Sequence, residues 1–132
     1  MNLITSHLVH ENSTSPEFLF PMAMGYSLFS CETKLINCGR KEFVSTGISL
    51  DIPHGSYVQV VGRMSMQQIG VFTSSMTFDG SFKGEIKVLI HNESANDLPI
   101  LIGDKIANLI VLPLDPPVLI QHRNQINEEI ET

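Results

Sequence analysis

An all-β fold is what this sequence predicts, and three observations predict it. Apolar and polar residues alternate at the strand period in the most regular stretches. Turn-forming residues, among them seven Pro and nine Gly spread along the chain, recur about every ten residues between those stretches. Only Ser65–Gly70 reads as helix, and it is under two turns long. The 132 residues suit one domain, and short strands punctuated by turns point to a sandwich or barrel.

Taken in order, residues 1–20 are polar and irregular apart from an apolar patch over 17–21, and are expected as an N-terminal arm or edge strand. The β core is expected over 21–117. Within it Ile48, Leu50 and Ile52 alternate with Ser49 and Asp51 before a Pro53-His54-Gly55 turn. Residues 57–61 are rich in β-branched and aromatic types. Ile86, Val88 and Ile90 alternate with Lys87, Leu89 and His91. An apolar segment over 97–102 closes at Gly103-Asp104, and a second over 106–112 ends at Pro113, Pro116 and Pro117. Residues 118–132 hold a possible strand, 118–121, and an acidic tail with Glu128, Glu129 and Glu131.

Composition excludes several classes of function. The net charge is −6 and the basic residues are not clustered, so neither a nucleic-acid backbone nor an anionic membrane surface is an expected partner. Cys31 and Cys38 form no CxxC, and no second pair completes a zinc site. Two free thiols are the default, with a disulfide as the alternative. His7, His10, His54, His91 and His122 lack metal-ligand spacing, so no protein-held metal or resident cofactor is expected. Neither a signal peptide nor an apolar run of membrane-spanning length is present. An intracellular, soluble protein is expected.

Five stretches then carry a resemblance. They are Met24-Gly25-Tyr26-Ser27-Leu28, residues 46–57 from Thr46-Gly47 to the Pro53-His54-Gly55 turn, Gly62-Arg63-Met64-Ser65-Met66, residues 78–86 around Asp79 and Phe82, and Gly103-Asp104-Lys105-Ile106-Ala107-Asn108. In order and spacing they resemble the motifs of the trimeric dUTPases, and 62–86 can be laid on lentiviral-type members without a gap. The resemblance implies a dUTPase-like distorted jelly roll, or β-clip barrel. It implies a homotrimer whose active sites draw motifs from more than one subunit. It also implies hydrolysis of dUTP to dUMP and pyrophosphate, with a magnesium ion clamping the triphosphate.

By that resemblance Asp79 stands for the water-activating aspartate, and Arg63 for the basic residue that meets phosphate. Phe82 stands for the tyrosine beneath the sugar. Ser65 and Asn108 complete the nucleotide-binding candidates. The departures are as informative. Ser27 replaces an aspartate, and Met64 replaces a serine that donates to phosphate. Ser75-Met76 replaces a glycine pair that lets the nucleotide approach the backbone. Asn108 is one methylene shorter than the usual glutamine. No Gly follows Gly103 and no Phe follows Phe82, so the Gly-rich closing arm has no counterpart.

Because catalytic groups that act as a unit fail together, these departures predict a catalytically silent member of the fold. It would be a trimeric structural or protein-interaction module, of viral or mobile-element origin. Its partner would bind the vacated cleft, the acidic tail or the patch over 16–24 with Phe18 and Phe20. The alternative is a divergent but working dUTPase in which Asp79, Arg63 and Phe82 suffice. Asp79 as a turn stabiliser, Arg63 in a surface ion pair and Phe82 as a core aromatic are the structural counterparts of those roles.

Overall fold

The computed structural model describes residues 3–18 and 25–125. Along them run β1 (Thr5–Leu8), β2 (Glu17–Phe18), β3 (Tyr26–Phe29), β4 (Lys34–Ile36), β5 (Lys41–Asp51), β6 (Ser56–Val61), α1 (Met64–Gln67), β7 (Val71–Thr73), β8 (Met76–Phe78), β9 (Glu85–Asn92), β10 (Leu98–Ile100) and β11 (Lys105–Pro113). The strands form a four-stranded sheet in the order β1-β5-β9-β7 and a five-stranded sheet in the order β2-β3-β11-β6-β8. A two-stranded ribbon, β10-β4, completes the set. Every pairing is antiparallel.

The period-2 pattern sets which face of each strand turns inward. Along β6, Ser56, Val58 and Val60 are buried and the residues between them are not. Along β9, Ile86, Val88, Ile90 and Asn92 face inward. These residues join Leu28, Val44, Ile48, Ile106 and Leu109 in one apolar cluster drawn from both larger sheets. Asn92 closes the β9 stripe as a fully buried polar residue. Its Nδ2 donates to the carbonyls of Ile36 (2.9 Å) and Asn96 (2.8 Å), and its Oδ1 accepts from the N–H and O–H of Ser94. A satisfied amide of this kind ties β9 to β4 and to the following turn without a desolvation penalty.

The long strand β5 is interrupted between Ser45 and Ser49, where its register against β9 shifts. Gly47 sits in this irregularity at φ 67°, a conformation that costs glycine nothing. Thr46, fully buried, spans the break. Its hydroxyl donates to the Ile86 carbonyl (2.7 Å) and accepts from the Ile48 N–H (3.2 Å). The Gly47 carbonyl in turn receives the Val9 N–H and the Ser13 hydroxyl (2.8 Å each). The N-terminal segment is anchored there.

Several expectations need correction. The strand read at 48–52 begins seven residues earlier, at Lys41; its first three residues are exposed and adjacent Phe43 and Val44 break any alternation there. The helix starts one residue before the expected Ser65 and ends at Gln67, and the chain then turns to Gly70 at φ 86°. Residues 118–121 form no strand. After Leu114 donates to the Gly55 carbonyl (2.9 Å), Pro116 and Pro117 offer no N–H for a ladder. Val118, Leu119 and Ile120 are then 87%, 93% and 84% exposed. The acidic cluster Glu128, Glu129 and Glu131 and the aromatic Phe20 lie outside the described residues. Cys31 and Cys38 are both free thiols, the first buried and the second exposed.

Candidate functional site

The candidate residues fall into two groups at opposite ends of β6. The first group gathers where β6 ends. Arg63 follows that strand and donates from Nη1 to the Lys105 carbonyl (3.1 Å), so it is held by a backbone acceptor and not by the surface ion pair considered above. Val61 lies opposite Asn108 on β11, which lies opposite Ser27 on β3. Ser65 is the second residue of the short helix that follows Arg63, and Met64 before it is 72% exposed. Ser27 is fully buried, and neither its Oγ nor the buried Oδ1 of Asn108 has a hydrogen-bond partner among the described residues. Two adjacent unsatisfied acceptors are costly in a folded chain.

The second group lies where β6 begins. Val58 pairs with Phe78, so Asp79, the next residue along, emerges at the Ser56 end. A six-residue strand separates the groups by about 17 Å. Asp79 opens a tight turn closed by the Phe82 N–H donating to its carbonyl (3.1 Å). Its carboxylate Oδ1 accepts from the Ser81 N–H (2.9 Å) and from the Ser81 hydroxyl. The Ser81 hydroxyl, and after it the Ser81 amide, hold the Asp79 carboxyl below the usual aspartate range. The side chain is therefore ionised at neutral pH. Asp79 thus stabilises a turn and also lines a cleft.

That cleft is lined by Ile52, Pro53, His54, Gly55, Ser56, Asp79, Gly80, Ser81 and Leu114. Gly80 lets the turn press against the β5–β6 connection, since a Cβ there would lie 2.8 Å from the Ile52 carbonyl oxygen. Phe82 packs partly buried on the core and stacks on Phe78 with ring centroids 4.2 Å apart. One side of its ring therefore belongs to the hairpin's packing. Met76, in place of a glycine, also packs against the core.

Sequence reasoning missed Ser81 and gave His54 no role. The Asp-x-Ser spacing is the signal that would have found the first, because a side chain two residues on is in reach of an Asx-type turn. His54 reaches the cleft only through the fold. The other described histidines are structural or exposed: His7 pairs with Asp51 (2.7 Å) and His91 with Ser74 (2.8 Å). Among the described residues no group of three or more His, Cys, Asp or Glu could hold a metal, and no helix is long and apolar enough to cross a membrane. Asp79 is a lone carboxylate with one oxygen already engaged. These residues do not fit a protein-held metal ion.

Comparison with known proteins identifies the family and the fold. The dUTPase family model matches residues 11–131. The chain is 31% identical over 104 residues to the deoxyuridine 5'-triphosphate nucleotidohydrolase of Yarrowia lipolytica, covering 78% of this chain and 66% of that protein. It is 31% identical over 117 residues to that of Paramecium bursaria Chlorella virus 1, covering 88% and 82%. It spans about two thirds of the Yarrowia protein's length. The fold matches the dUTPase from phage phi11 of S. aureus with a TM-score of 0.85 at 21% identity, over 93% of this chain and 98% of that one. With the motifs in family order, the same all-β architecture and a family match across nearly its whole length, the chain belongs to the dUTPase family.

Proposed function

We propose that three copies of this chain assemble and hydrolyse dUTP to dUMP and pyrophosphate at sites shared between subunits. The observation that carries the reading is the ionised Asp79 carboxylate, exposed in a cleft on a turn that keeps the family's motif order. In this reading Asp79 holds and deprotonates the water that attacks the α-phosphate. Arg63, about 17 Å of strand away in its own subunit, serves the phosphates bound at a neighbour's Asp79. Asn108 and Ser65 stand beside it. Magnesium enters as part of the substrate, chelated by the triphosphate, since no group of three or more His, Cys, Asp or Glu among the described residues could cage it. Homotrimerisation is further supported by the outward face of the β1-β5-β9-β7 sheet, where Phe43 and Phe72 are 51% and 40% exposed.

A second reading, a non-catalytic trimeric module, is favoured by one observation. The unsatisfied Ser27 and Asn108 atoms and the exposed Met64 occupy the end where phosphate donors belong. The relatives, which are nucleotidohydrolases by name, weigh toward the first reading. Pyrophosphate release from dUTP with magnesium separates the two. Turnover that falls by a factor of roughly a hundred to ten thousand in Asp79→Asn is expected for a lost general base. No turnover in the native protein leaves the module. Sedimentation tests assembly: a mass of three times the 14.6 kDa subunit is expected, and Phe72→Glu should dissociate it.

A further inference from the structure

We propose that Ser81 is a positioning residue for the reaction, its hydroxyl and amide fixing Asp79 through Oδ1 so that the attacking water meets Oδ2. The inference rests on the hydrolase reading and deepens it. Both Ser81 donors converge on the same carboxylate oxygen. The backbone bond from Phe82 to the Asp79 carbonyl closes the turn around them. Gly80, between the two residues, has no room for a side chain, because a Cβ there would lie 2.8 Å from the Ile52 carbonyl oxygen. Any residue but proline at position 81 offers the amide. Only a hydroxyl-bearing one adds the second donor, so the device is specific to this side chain. A carboxylate pinned at one oxygen has its other oxygen aimed, and catalytic rate is sensitive to such aim.

The charged and titratable groups around the turn are His54 from the β5–β6 connection, Lys83 and Glu85 on the hairpin, and Asp115 next to Leu114. None of them is among the causes of the Asp79 depression, which are the Ser81 hydroxyl first, the Ser81 amide second and, after them, Asp79's own backbone amide. Loss of the hydroxyl alone therefore has a defined signature.

The experiment compares the native protein with Ser81→Ala and Ser81→Thr, each as the assembled full chain. The Asp79 carboxyl is titrated by carbon-detected NMR, and the pH profile of kcat/KM for magnesium–dUTP is measured alongside. In Ser81→Ala the carboxyl midpoint and the acid limb of the profile should rise together. At neutral pH kcat should fall by roughly ten-fold with KM nearly unchanged, as orientation is lost. Ser81→Thr should restore both. A merely structural Ser81 would lower thermal stability and leave the midpoint in place, and that result overturns the proposal. If the native protein turns over and its midpoint ignores position 81, the positioning role fails and the hydrolase reading stands. If the native protein does not turn over while the midpoint follows position 81, the hydrolase reading fails and the carboxylate clamp stands.

Discussion

Replacing Thr46 with Val tests how the interrupted strand β5 is held. The side chains are nearly the same size, and the site is fully buried, so packing changes little. What is lost is the hydroxyl that donates to the Ile86 carbonyl and accepts from the Ile48 N–H. Both backbone groups sit at the register shift between β5 and β9, where the ladder passes from Ser45 to Ser49 without intervening pairs. Each buried group left without its partner costs about 1–3 kcal/mol. The extra buried methyl returns roughly 0.8 kcal/mol. The net expectation is a loss of about 3 kcal/mol, a large share of the roughly 5–15 kcal/mol that stabilises a domain. With a urea slope near 2 kcal/mol/M, the midpoint should fall by about 1.5 M at unchanged slope. The measurement is equilibrium urea unfolding followed by circular dichroism, at one fixed protein concentration so that assembly does not shift the midpoint. Thr46→Ser, which keeps the hydroxyl, should lose only about 1 kcal/mol. A Thr46→Val midpoint as high as that of Thr46→Ser would refute the reasoning, because packing and not the bridged break would then set stability.

Three further outcomes are expected. Gly25→Ala should cost about 3 kcal/mol or prevent folding, read as a lower melting temperature, because the new Cβ would lie 2.2 Å from the Leu109 carbonyl oxygen, a backbone atom. Ile90→Ala should destabilise by about 2–5 kcal/mol in the same unfolding assay, since Ile90 is fully buried in the cluster shared by both sheets. Glu32 sets part of the acid sensitivity. Burial pushes its carboxyl up, but hydrogen bonds from Ser45 and the Lys34 ammonium (3.2 Å) outweigh that and leave it below the ordinary range. A depressed folded-state value contributes stability at pH above the unfolded value, near 4.3, and that contribution is lost as pH falls through the lower folded value. Glu32→Gln should therefore flatten the stability–pH curve below about pH 5; an unchanged slope there counts against the Ser45 and Lys34 contacts.

The strands with a buried face were legible in the sequence. Ser56, Val58 and Val60 on β6 and Ile86, Val88 and Ile90 on β9 alternate because a sheet packed on one side imposes period 2. Strands β4, β7 and β8 are three residues long, too short for that period to register. The first three residues of β5 are exposed, and its apolar Phe43 and Val44 are adjacent, so no alternation registers there. The candidate residues were legible as motifs, since motif order is a property of the chain. Their grouping was not, because the pairing of β3, β6 and β11 is made by hydrogen bonds between residues far apart in sequence.

The sequence by itself determined an all-β chain of the dUTPase family and named Asp79, Arg63, Ser65, Phe82 and Asn108. Only the tertiary structure decided that Arg63, Ser65 and Asn108 stand at one end of β6 and Asp79 and Phe82 at the other. It also decided that Arg63 is held by a backbone carbonyl, that Phe82 packs partly buried against the core, and that Asp79 is gripped by Ser81 in a cleft with His54. The physical reason is that residue type and local period are written along the chain. Distance, burial and the direction of a hydrogen bond arise only when strands remote in sequence are laid side by side.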